Sequence, residues 1–223
     1  MTDIAQRLAD VRARIEIAET RAARPRGAVK LLAVSKRMPA AAIREAYAAG
    51  QREFGENYVQ ELLEKREALV DLPDVVFHLI GHLQSNKAKT AARLADVVHT
   101  VDSAEIAREL AKRCATMERV LPVLIEVNVG REARKHGARP EDVAALVETI
   151  RAIPALDLRG LMTVPPHTDD PEGARAFFAE LRALRDRHGL LDLSMGMTDD
   201  LEIAVEEGAT IVRVGTAIFG PRP

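Results

Sequence analysis

Apolar and polar positions along the chain form blocks that predict a repeating order of helix and strand. The first block spaces its apolar residues four, three and four apart, at Ile4, Leu8, Val11 and Ile15. This spacing is typical of one face of an amphipathic helix. We therefore predict an N-terminal helix over residues 1–24, which ends at a turn containing proline and glycine.

Eight short apolar runs follow, and we predict that each forms a β-strand. They cover residues 29–35, 52–56, 75–81, 96–102, 121–129, 156–164, 190–196 and 210–219. Several are apolar on both faces, as is typical of parallel strands buried on both sides. Helical patterns separate the runs, at residues 42–49, 58–69, 86–94, 103–118, 140–152, 171–188 and 199–207.

Proline, glycine and small polar residues mark the ends of these helices. Prolines stand where the first helical residue is expected, at Pro39, Pro140 and Pro171. Glycines follow the helical stretches as C-terminal caps do, at Gly50, Gly189 and Gly208. Polar residues precede a Gln or Glu by three positions and predict N-caps, at Asn57, Asp102 and Asp199.

The alternation of strand and helix predicts a parallel sheet of the α/β class. A count of eight strands favours a closed (β/α)₈ TIM barrel, because closure leaves no edge strand. We predict one domain over residues 1–223, with the N-terminal helix as an addition to the barrel. The alternative is an open doubly wound sheet, but neither GxGxxG nor GxxxxGK[ST] follows any strand.

The composition and charge of the chain argue against several classes of protein. The formal net charge is −2 and aromatic residues make up 3% of the chain, which argues against a nucleic-acid partner. No long apolar run predicts a membrane span, and the charged N-terminus does not resemble a signal peptide. The single cysteine, Cys114, excludes an intramolecular disulfide and is expected to be a half-buried structural thiol. We predict a cytoplasmic monomer.

In a (β/α)₈ barrel the chemistry lies at the C-terminal ends of the strands. Lys36 directly follows the first strand, so its amine is expected at the barrel mouth, where partial desolvation favours a Schiff base with an aldehyde. A surface lysine at a strand end is the alternative interpretation. Two histidines of the third strand, His78 and His82, lie four residues apart, but strand geometry does not make them converge, and we expect no metal site.

The turns after the seventh and eighth strands contain glycines and hydroxyl groups that suit a phosphate, at Thr198, Gly215 and Thr216. Ordinary turn and cap chemistry is the alternative there. Asp199 and its neighbour Asp200 are expected to point away from such an anion. Arg213 lies on an otherwise apolar strand and needs a partner, for which a ring nitrogen is one candidate. A lysine with a phosphate site indicates pyridoxal phosphate or an aldolase substrate.

Five segments resemble the pyridoxal phosphate homeostasis proteins, also called proline synthase co-transcribed homologues, which are similar to the N-terminal barrel of alanine racemase. The segments are LLAVSKRMP (31–39), FGENYVQE (54–61), HLIGHLQSNK (78–87), LSMGMTDDLEIAVEEGAT (193–210) and VRVGTAIFG (212–220). The resemblance implies a fold type III barrel that binds pyridoxal 5′-phosphate. The stretches 128–137 and 163–173 depart from the family pattern, so no role is carried over there.

The resemblance also implies roles for single residues. Lys36 would form the internal aldimine, Arg213 would face the pyridine nitrogen and Asn57 would lie beside the ring. The phosphate cup would consist of Thr198, where the family usually has serine, together with Gly215 and Thr216, with Ser194 near it. No residue is assigned a catalytic role.

Three functions are compatible with these residues. The first is a carrier or buffer of pyridoxal phosphate in intracellular cofactor homeostasis, without substantial turnover and with pyridoxal phosphate enzymes as recipients. The second is an amino-acid racemase, which requires a second base opposite Lys36. We expect neither Tyr47 nor Tyr58 to be that base, and we expect no second domain after the barrel that could supply one. The third, an aldolase, lacks an identifiable acid–base partner.

Overall fold

The computed structural model describes residues 4–221 and contains a closed barrel of eight parallel strands in chain order. The strands are β1 (Lys30–Val34), β2 (Glu53–Glu56), β3 (Val76–Leu79), β4 (Val97–Val101), β5 (Leu121–Glu126), β6 (Leu156–Met162), β7 (Asp192–Ser194) and β8 (Ile211–Val214). The barrel closes because β1 pairs with β8, with Leu32 beside Arg213, as well as with β2. The predicted TIM barrel is confirmed, and the open sheet is wrong.

Helices connect the strands on the outside of the barrel. They are α1 (Ile4–Arg21), α2 (Ala40–Ala48), α3 (Val59–Ala68), α4 (Ala88–Leu94), α5 (Ala104–Ala115), α6 (Val143–Arg151), α7 (Arg175–Arg187), α8 (Leu201–Glu206) and α9 (Thr216–Phe219). Short 3₁₀ turns lead into α4, α6 and α7, and two of them begin at the predicted positions Pro140 and Pro171. None of the helices within residues 4–221 combines the length and apolar character that a membrane crossing requires.

The buried apolar side chains divide into two groups. The larger group packs between the strands and the surrounding helices. A smaller group is buried but stands apart from that cluster, at Leu32, Leu124, Met162 and Ile211. Ile211 lies two residues before Arg213, so the two share a strand face that points into the barrel. The barrel interior therefore contains both apolar side chains and the buried Arg213.

The N-terminal helix buries the apolar face that the spacing predicts, since Leu8, Val11 and Ile15 are all buried. It packs beside α2, α8 and α9. The helix ends at Arg21 rather than at residue 24, because Ala23 adopts a left-handed backbone with φ of 52°. The first three residues of the predicted helix lie outside the described part of the chain.

Strand eight is shorter than the prediction. It ends at Val214, and the residues after Gly215 form α9 instead of continuing as strand to residue 219. The backbone N–H groups of Ile218 and Phe219 both donate to the Gly215 carbonyl. A short buried helix has the same continuous apolar pattern as a buried strand, so the pattern did not separate the two.

Capping residues are confirmed at the helix C-termini and shifted at the N-termini. The predicted glycines Gly50, Gly189 and Gly208 all have positive φ, of 84°, 60° and 97°. The predicted N-caps each lie one residue too early, since the caps are Tyr58, Ser103 and Asp200. Only Ser103 among the three uses its side chain, with Oγ accepting from the Ile106 N–H at 3.3 Å.

Cys114 is more buried than expected. Its side chain has no exposed surface, and this burial raises the pKa of the thiol above its usual value. The thiol therefore behaves as a small apolar group in the packing of α5.

Candidate functional site

A pocket of about 330 Å³ opens at the mouth of the barrel, between the ends of β1 and β8 and the loop after β7. Six of the seven candidate residues line it, namely Lys36, Asn57, Thr198, Arg213, Gly215 and Thr216. The seventh, Ser194, lies behind Arg213, whose Nη1 donates to Ser194 Oγ at 2.8 Å. Barrel closure thus gathers residues from both ends of the chain into one pocket.

Lys36 is presented by a tight turn at the end of β1. The Met38 N–H donates to the Ser35 carbonyl at 2.9 Å, and Arg37 between them has a left-handed φ of 61°. Glu61 holds this turn from α3, because its Oε2 accepts from the Arg37 N–H at 2.7 Å. The strained backbone is therefore fixed by its neighbours, and Lys36 has a defined position on the pocket wall.

A buried ion pair supports the turn from below. Lys65 Nζ lies 2.7 Å from Glu56 Oε1 and donates to the Ser35 carbonyl, also at 2.7 Å. Ser35 Oγ donates to the same Glu56 oxygen at 2.5 Å. Burial raises the pKa of the Glu56 carboxyl, and Lys65 opposes that rise. The position of Lys36 thus depends on charges that the helix α3 and strand β2 contribute.

The phosphate side of the pocket is shaped by Gly215 and by the turn that contains Thr198. A Cβ atom at Gly215 would lie 3.1 Å from the Val34 carbonyl oxygen, so a side chain there would crowd the wall beside Lys36. Arg14 of α1 donates to the Thr198 carbonyl at 2.9 Å and pairs with Glu202 at 2.7 Å. The N-terminal helix therefore fixes the turn that presents Thr198.

Two acidic residues, Asp199 and Asp200, belong to this turn. Asp200 turns back on its own loop, where its Oδ1 accepts from the Met197 N–H at 2.6 Å, as expected. Asp199 is among the residues that line the pocket, and its carboxylate acts electrostatically on Arg14 of α1, so that its orientation away from an anion stays a prediction. Its exposure to solvent weakens its repulsion of an anion in the pocket.

Arg213 is buried and is held by two neutral oxygen atoms. Besides Ser194 Oγ, it donates to the Thr163 carbonyl at 2.8 Å. Burial lowers the pKa of its guanidinium to about 10, while Asp200 and Glu126 oppose that shift. Arg213 is therefore a cation at neutral pH, aimed at the pocket with hydrogen-bond donors only.

A chain of hydrogen bonds runs from Arg213 across the barrel interior to its other end. His99 Nδ1 lies 2.9 Å from Ser194 Oγ, and His99 Nε2 lies 2.8 Å from His78 Nδ1. His78 Nε2 lies 2.6 Å from Glu53 Oε2, at the start of β2. Burial lowers the pKa of His99 well below its usual value, with help from the charge of Arg213, so its imidazole is neutral.

The two ends of this chain fix the direction of the hydrogen bonds that they make. Arg213 only donates and the Glu53 carboxylate only accepts. The Glu53 carboxylate therefore accepts from His78 Nε2, and Ser194 Oγ accepts from Arg213. The sequence analysis considered His78 with His82 and missed the connection of His78 to His99. The sequence signal that could have revealed this connection is the one that singled out Arg213. Each is a polar residue at an inward-facing position of an apolar strand.

Asn57 has unfilled hydrogen-bonding capacity in the pocket. Its Oδ1 is buried and has no hydrogen-bond partner among the described residues. Its backbone lies so close to Gly81 that a Cβ there would be 2.1 Å from the Asn57 carbonyl oxygen. Because the amide does not cap α3 as the spacing predicted, it remains available to a ligand. The pocket as a whole therefore offers an amine, a guanidinium, an amide and hydroxyl groups. Together these groups fit a phosphorylated pyridine aldehyde.

Glu126 at the end of β5 is a second buried group without a complete set of partners. Its Oε2 is buried and unbonded within residues 4–221. Burial and the nearby Asp102 carboxylate raise the pKa of the Glu126 carboxyl to about 7, against the effect of Arg213. The carboxyl therefore changes its charge close to neutral pH, at the inner edge of the mouth.

This pKa predicts a pH dependence of the free energy of unfolding. Between pH 4.5 and 7 the folded protein retains a proton that the unfolded chain releases. The resulting stabilisation is complete below pH 4.5 and is lost as the pH rises through 7, by about 3 kcal/mol in total. We expect Glu126→Gln to remove this loss in urea unfolding between pH 5 and 8, whereas the exposed control Glu105→Gln retains it. An unchanged pH dependence in Glu126→Gln would contradict the assignment.

Comparison with known proteins shows the family. Residues 7–223 match the family model described as the alanine racemase N-terminal domain. A pyridoxal phosphate homeostasis protein of Pseudomonas aeruginosa is 50% identical over 224 residues, covering 100% of this chain and 97% of that protein. The chain belongs to the family of pyridoxal phosphate homeostasis proteins. The relative of the same name from Aquifex aeolicus is 46% identical, with 97% of each protein covered.

Solved structures extend this comparison to three dimensions. PipY of Synechococcus elongatus, determined with pyridoxal phosphate bound, superposes with a TM-score of 0.86 at 40% identity, over 97% of this chain and 100% of that one. Alanine racemase of Clostridium difficile superposes with a TM-score of 0.78 at 14% identity. Our chain covers 58% of the length of that racemase. The similarity to the racemase shows a shared fold only.

Proposed function

We propose that this chain binds pyridoxal 5′-phosphate at Lys36 and acts in intracellular cofactor homeostasis, as a carrier or buffer rather than as an enzyme. The observation that carries the proposal is the pocket that brings Lys36, Arg213 and the Thr198–Gly215–Thr216 set together. The names of the curated relatives and the cofactor in PipY support it. When bound, the cofactor supplies an aldehyde that condenses with amines and a ring that withdraws electrons.

Lys36 provides the covalent link in this proposal, as a Schiff base between its Nζ and the aldehyde carbon. Thr198, Gly215 and Thr216 provide hydroxyl and backbone donors for the phosphate. Asn57, with its unpartnered buried Oδ1, contacts the ring or its substituents. Each role agrees with where these groups lie in the pocket.

Arg213 faces the pyridine nitrogen in this proposal, and the chain through Ser194 and His99 holds it there. A permanent cation beside this nitrogen keeps the nitrogen unprotonated. The ring then withdraws electrons less strongly than one paired with a carboxylate. This favours storage and release of the cofactor over the formation of substrate carbanions.

Replacing Gly215 tests the phosphate assignment. We expect Gly215→Val to weaken pyridoxal phosphate binding about tenfold or more, because the new side chain displaces the phosphate from charge-assisted donors. Fluorescence titration measures the affinity, and circular dichroism reports the fold. Thr216→Ser, which retains the hydroxyl, is the matched control and should bind like the wild type. Unchanged affinity in a folded Gly215→Val variant would place the phosphate elsewhere.

A racemase would require a second base on the opposite face of the substrate. Tyr47 lies away from the pocket, where its hydroxyl donates to Asp74 and Arg52 stacks on its ring. Tyr58 is about half exposed and lines a neighbouring cavity. Neither tyrosine lines the pocket that contains Lys36, which supports the carrier over the racemase.

Two measurements distinguish the carrier from the racemase, namely transfer of the cofactor to another enzyme and turnover of amino acids. We expect the loaded protein to restore the activity of a pyridoxal phosphate enzyme prepared without its cofactor. In deuterium oxide, alanine and serine should exchange their α-hydrogen far more slowly than about 1 per second, the lower end of ordinary enzyme rates. Exchange at that rate or faster, with inversion and with loss in Lys36→Ala, would overturn the carrier function.

The remaining proposals concern the oligomeric state of the protein, its location in the cell and the proteins that receive the cofactor. We infer that the chain acts as a single-domain monomer in the cytoplasm and that pyridoxal phosphate enzymes receive its cofactor. Light scattering coupled to gel filtration tests the monomer, with a measured mass near the 24.4 kDa of one chain as the expected result. A mass of twice that value, independent of concentration, would contradict it.

A further inference from the structure

Three consecutive loops at the barrel mouth bring two imidazoles and a carboxylate together. His82 follows β3, Asp102 follows β4 and His136 lies in the loop after β5. The rings of His82 and His136 stack with centroids 3.5 Å apart and an interplanar angle of 7°. His82 Nδ1 lies 3.6 Å from Asp102 Oδ2, and one ligand atom of each residue lies within 4.8 Å of the others.

We propose that His82, Asp102 and His136 form a binding site for a divalent transition-metal ion of the zinc class. Two imidazoles and one carboxylate are a ligand set that Zn²⁺ accepts, with a fourth position left for water. Soft sulfur ligands are not involved, because the one cysteine is buried in α5. The ion would give the Asp102 carboxylate a full counter-charge.

The spacing of the three groups suits a tetrahedral ion. Ligand atoms bonded at about 2.0–2.1 Å lie about 3.4 Å from one another in that geometry. The observed separation of 3.6 Å between His82 Nδ1 and Asp102 Oδ2 is close to this value. The ligand atom of His136 lies within 4.8 Å of the other two, so it must approach by at most about 1.4 Å. The two rings must also turn out of their stack so that both lone pairs point to one position. Both histidines are exposed, so this rotation requires little desolvation.

The loop that presents His136 is held in place by its own hydrogen bonds. Asn128 Oδ1 accepts from the Glu132 N–H at 3.1 Å, and Asn128 Nδ2 donates to the Glu132 carbonyl at 2.9 Å. Gly137 has a φ of 108°, and a Cβ there would lie 2.8 Å from the Asn128 nitrogen. The glycine therefore allows a close turn that returns His136 toward the mouth.

The cluster is separate from the cofactor pocket. The pocket lies at the ends of β1 and β8 and the loop after β7, whereas the cluster lies at the ends of β3, β4 and β5. The prediction of no metal site from the sequence concerned the pair His78 and His82. Those two do not share a site, because His78 is buried and bonded to His99 and Glu53. The exposed partner of His82 is His136 instead.

Equilibrium dialysis of the full-length protein against Zn²⁺ tests the site, after chelator treatment and in a buffer that does not bind metals. We expect one ion per chain. Loss of a direct ligand in His136→Ala or Asp102→Asn should weaken binding by at least about tenfold, the lower end of what second-shell changes cost. Co²⁺ as a probe should show the intense visible bands of a four-coordinate site with nitrogen and oxygen ligands.

His167→Ala is the matched control, because His167 is also an exposed histidine near an aspartate, with Nε2 3.9 Å from Asp169 Oδ1, but belongs to no such cluster among the described residues. We expect this variant to bind Zn²⁺ like the wild type. The proposal is overturned if the wild type binds no Zn²⁺, or if His136→Ala and Asp102→Asn retain wild-type affinity. It is also overturned if His167→Ala loses as much affinity as they do. Circular dichroism confirms that each variant is folded, and none of these readouts depends on pyridoxal phosphate.

Discussion

Lys36→Ala is expected to abolish covalent attachment of pyridoxal phosphate. After incubation with the cofactor and reduction with borohydride, the wild type should carry a stable pyridoxyl group on Lys36, found by peptide mapping. The variant should carry none, because its pocket has lost the amine that condenses with the aldehyde. The visible absorption band of the loaded wild type should disappear on reduction and should be missing from the variant.

The variant should still bind the cofactor weakly, since the phosphate and ring contacts do not involve Lys36. Lys30→Ala is the control, because Lys30 lies at the opposite end of the same strand and its side chain is 65% exposed. It should incorporate the cofactor like the wild type. A reduced adduct on another lysine of the wild type, or equal labelling of Lys36→Ala, would contradict the assignment.

Lys65→Ala is expected to destabilise the fold by about 3–5 kcal/mol, as removal of one partner from a buried ion pair does. Glu56 has no exposed surface and its partner Lys65 is only 7% exposed. Without the ammonium, the Glu56 carboxyl keeps Ser35 Oγ as its one remaining hydrogen-bond donor within the described chain. The Ser35 carbonyl also loses one of its two donors and keeps only the Met38 N–H, so the turn that holds Lys36 should loosen, and cofactor binding should weaken in the same variant.

Urea unfolding followed by circular dichroism measures this loss of stability. Arg44→Ala is the control, because it breaks an ion pair of similar length, 2.6 Å to Asp71, between side chains that are 43% and 56% exposed. Solvent screens such a pair, so that variant should unfold close to the wild type. The double variant Glu56→Gln/Lys65→Met should regain much of the stability, since it removes both buried charges. Equal effects of Lys65→Ala and Arg44→Ala would show that the buried pair contributes no more than a surface pair.

The order of the elements and the location of the chemistry were predictable from the sequence. Buried parallel strands have apolar residues on both faces, and the helices end at glycines with positive φ, so eight strands with helices between them follow from local pattern. The count of eight favoured closure over the open sheet. The C-terminal ends of strands share one mouth in any such barrel. That rule predicts Lys36 at the same mouth as Gly215 and Thr216. The strand face shared by Arg213 and Gly215 followed from the two-residue period of a strand.

The tertiary structure decided which side chains touch across the barrel. The chain from Arg213 through His99 to Glu53, the pKa of Glu126 and the approach of His136 to His82 all join residues far apart in sequence. Such contacts depend on strand register and on burial, which determine distances of a few ångströms and the local dielectric. Sequence spacing carries neither quantity. The local pattern therefore determined the barrel and the position of Lys36, whereas closure of the barrel determined the partners and protonation states of the residues around it.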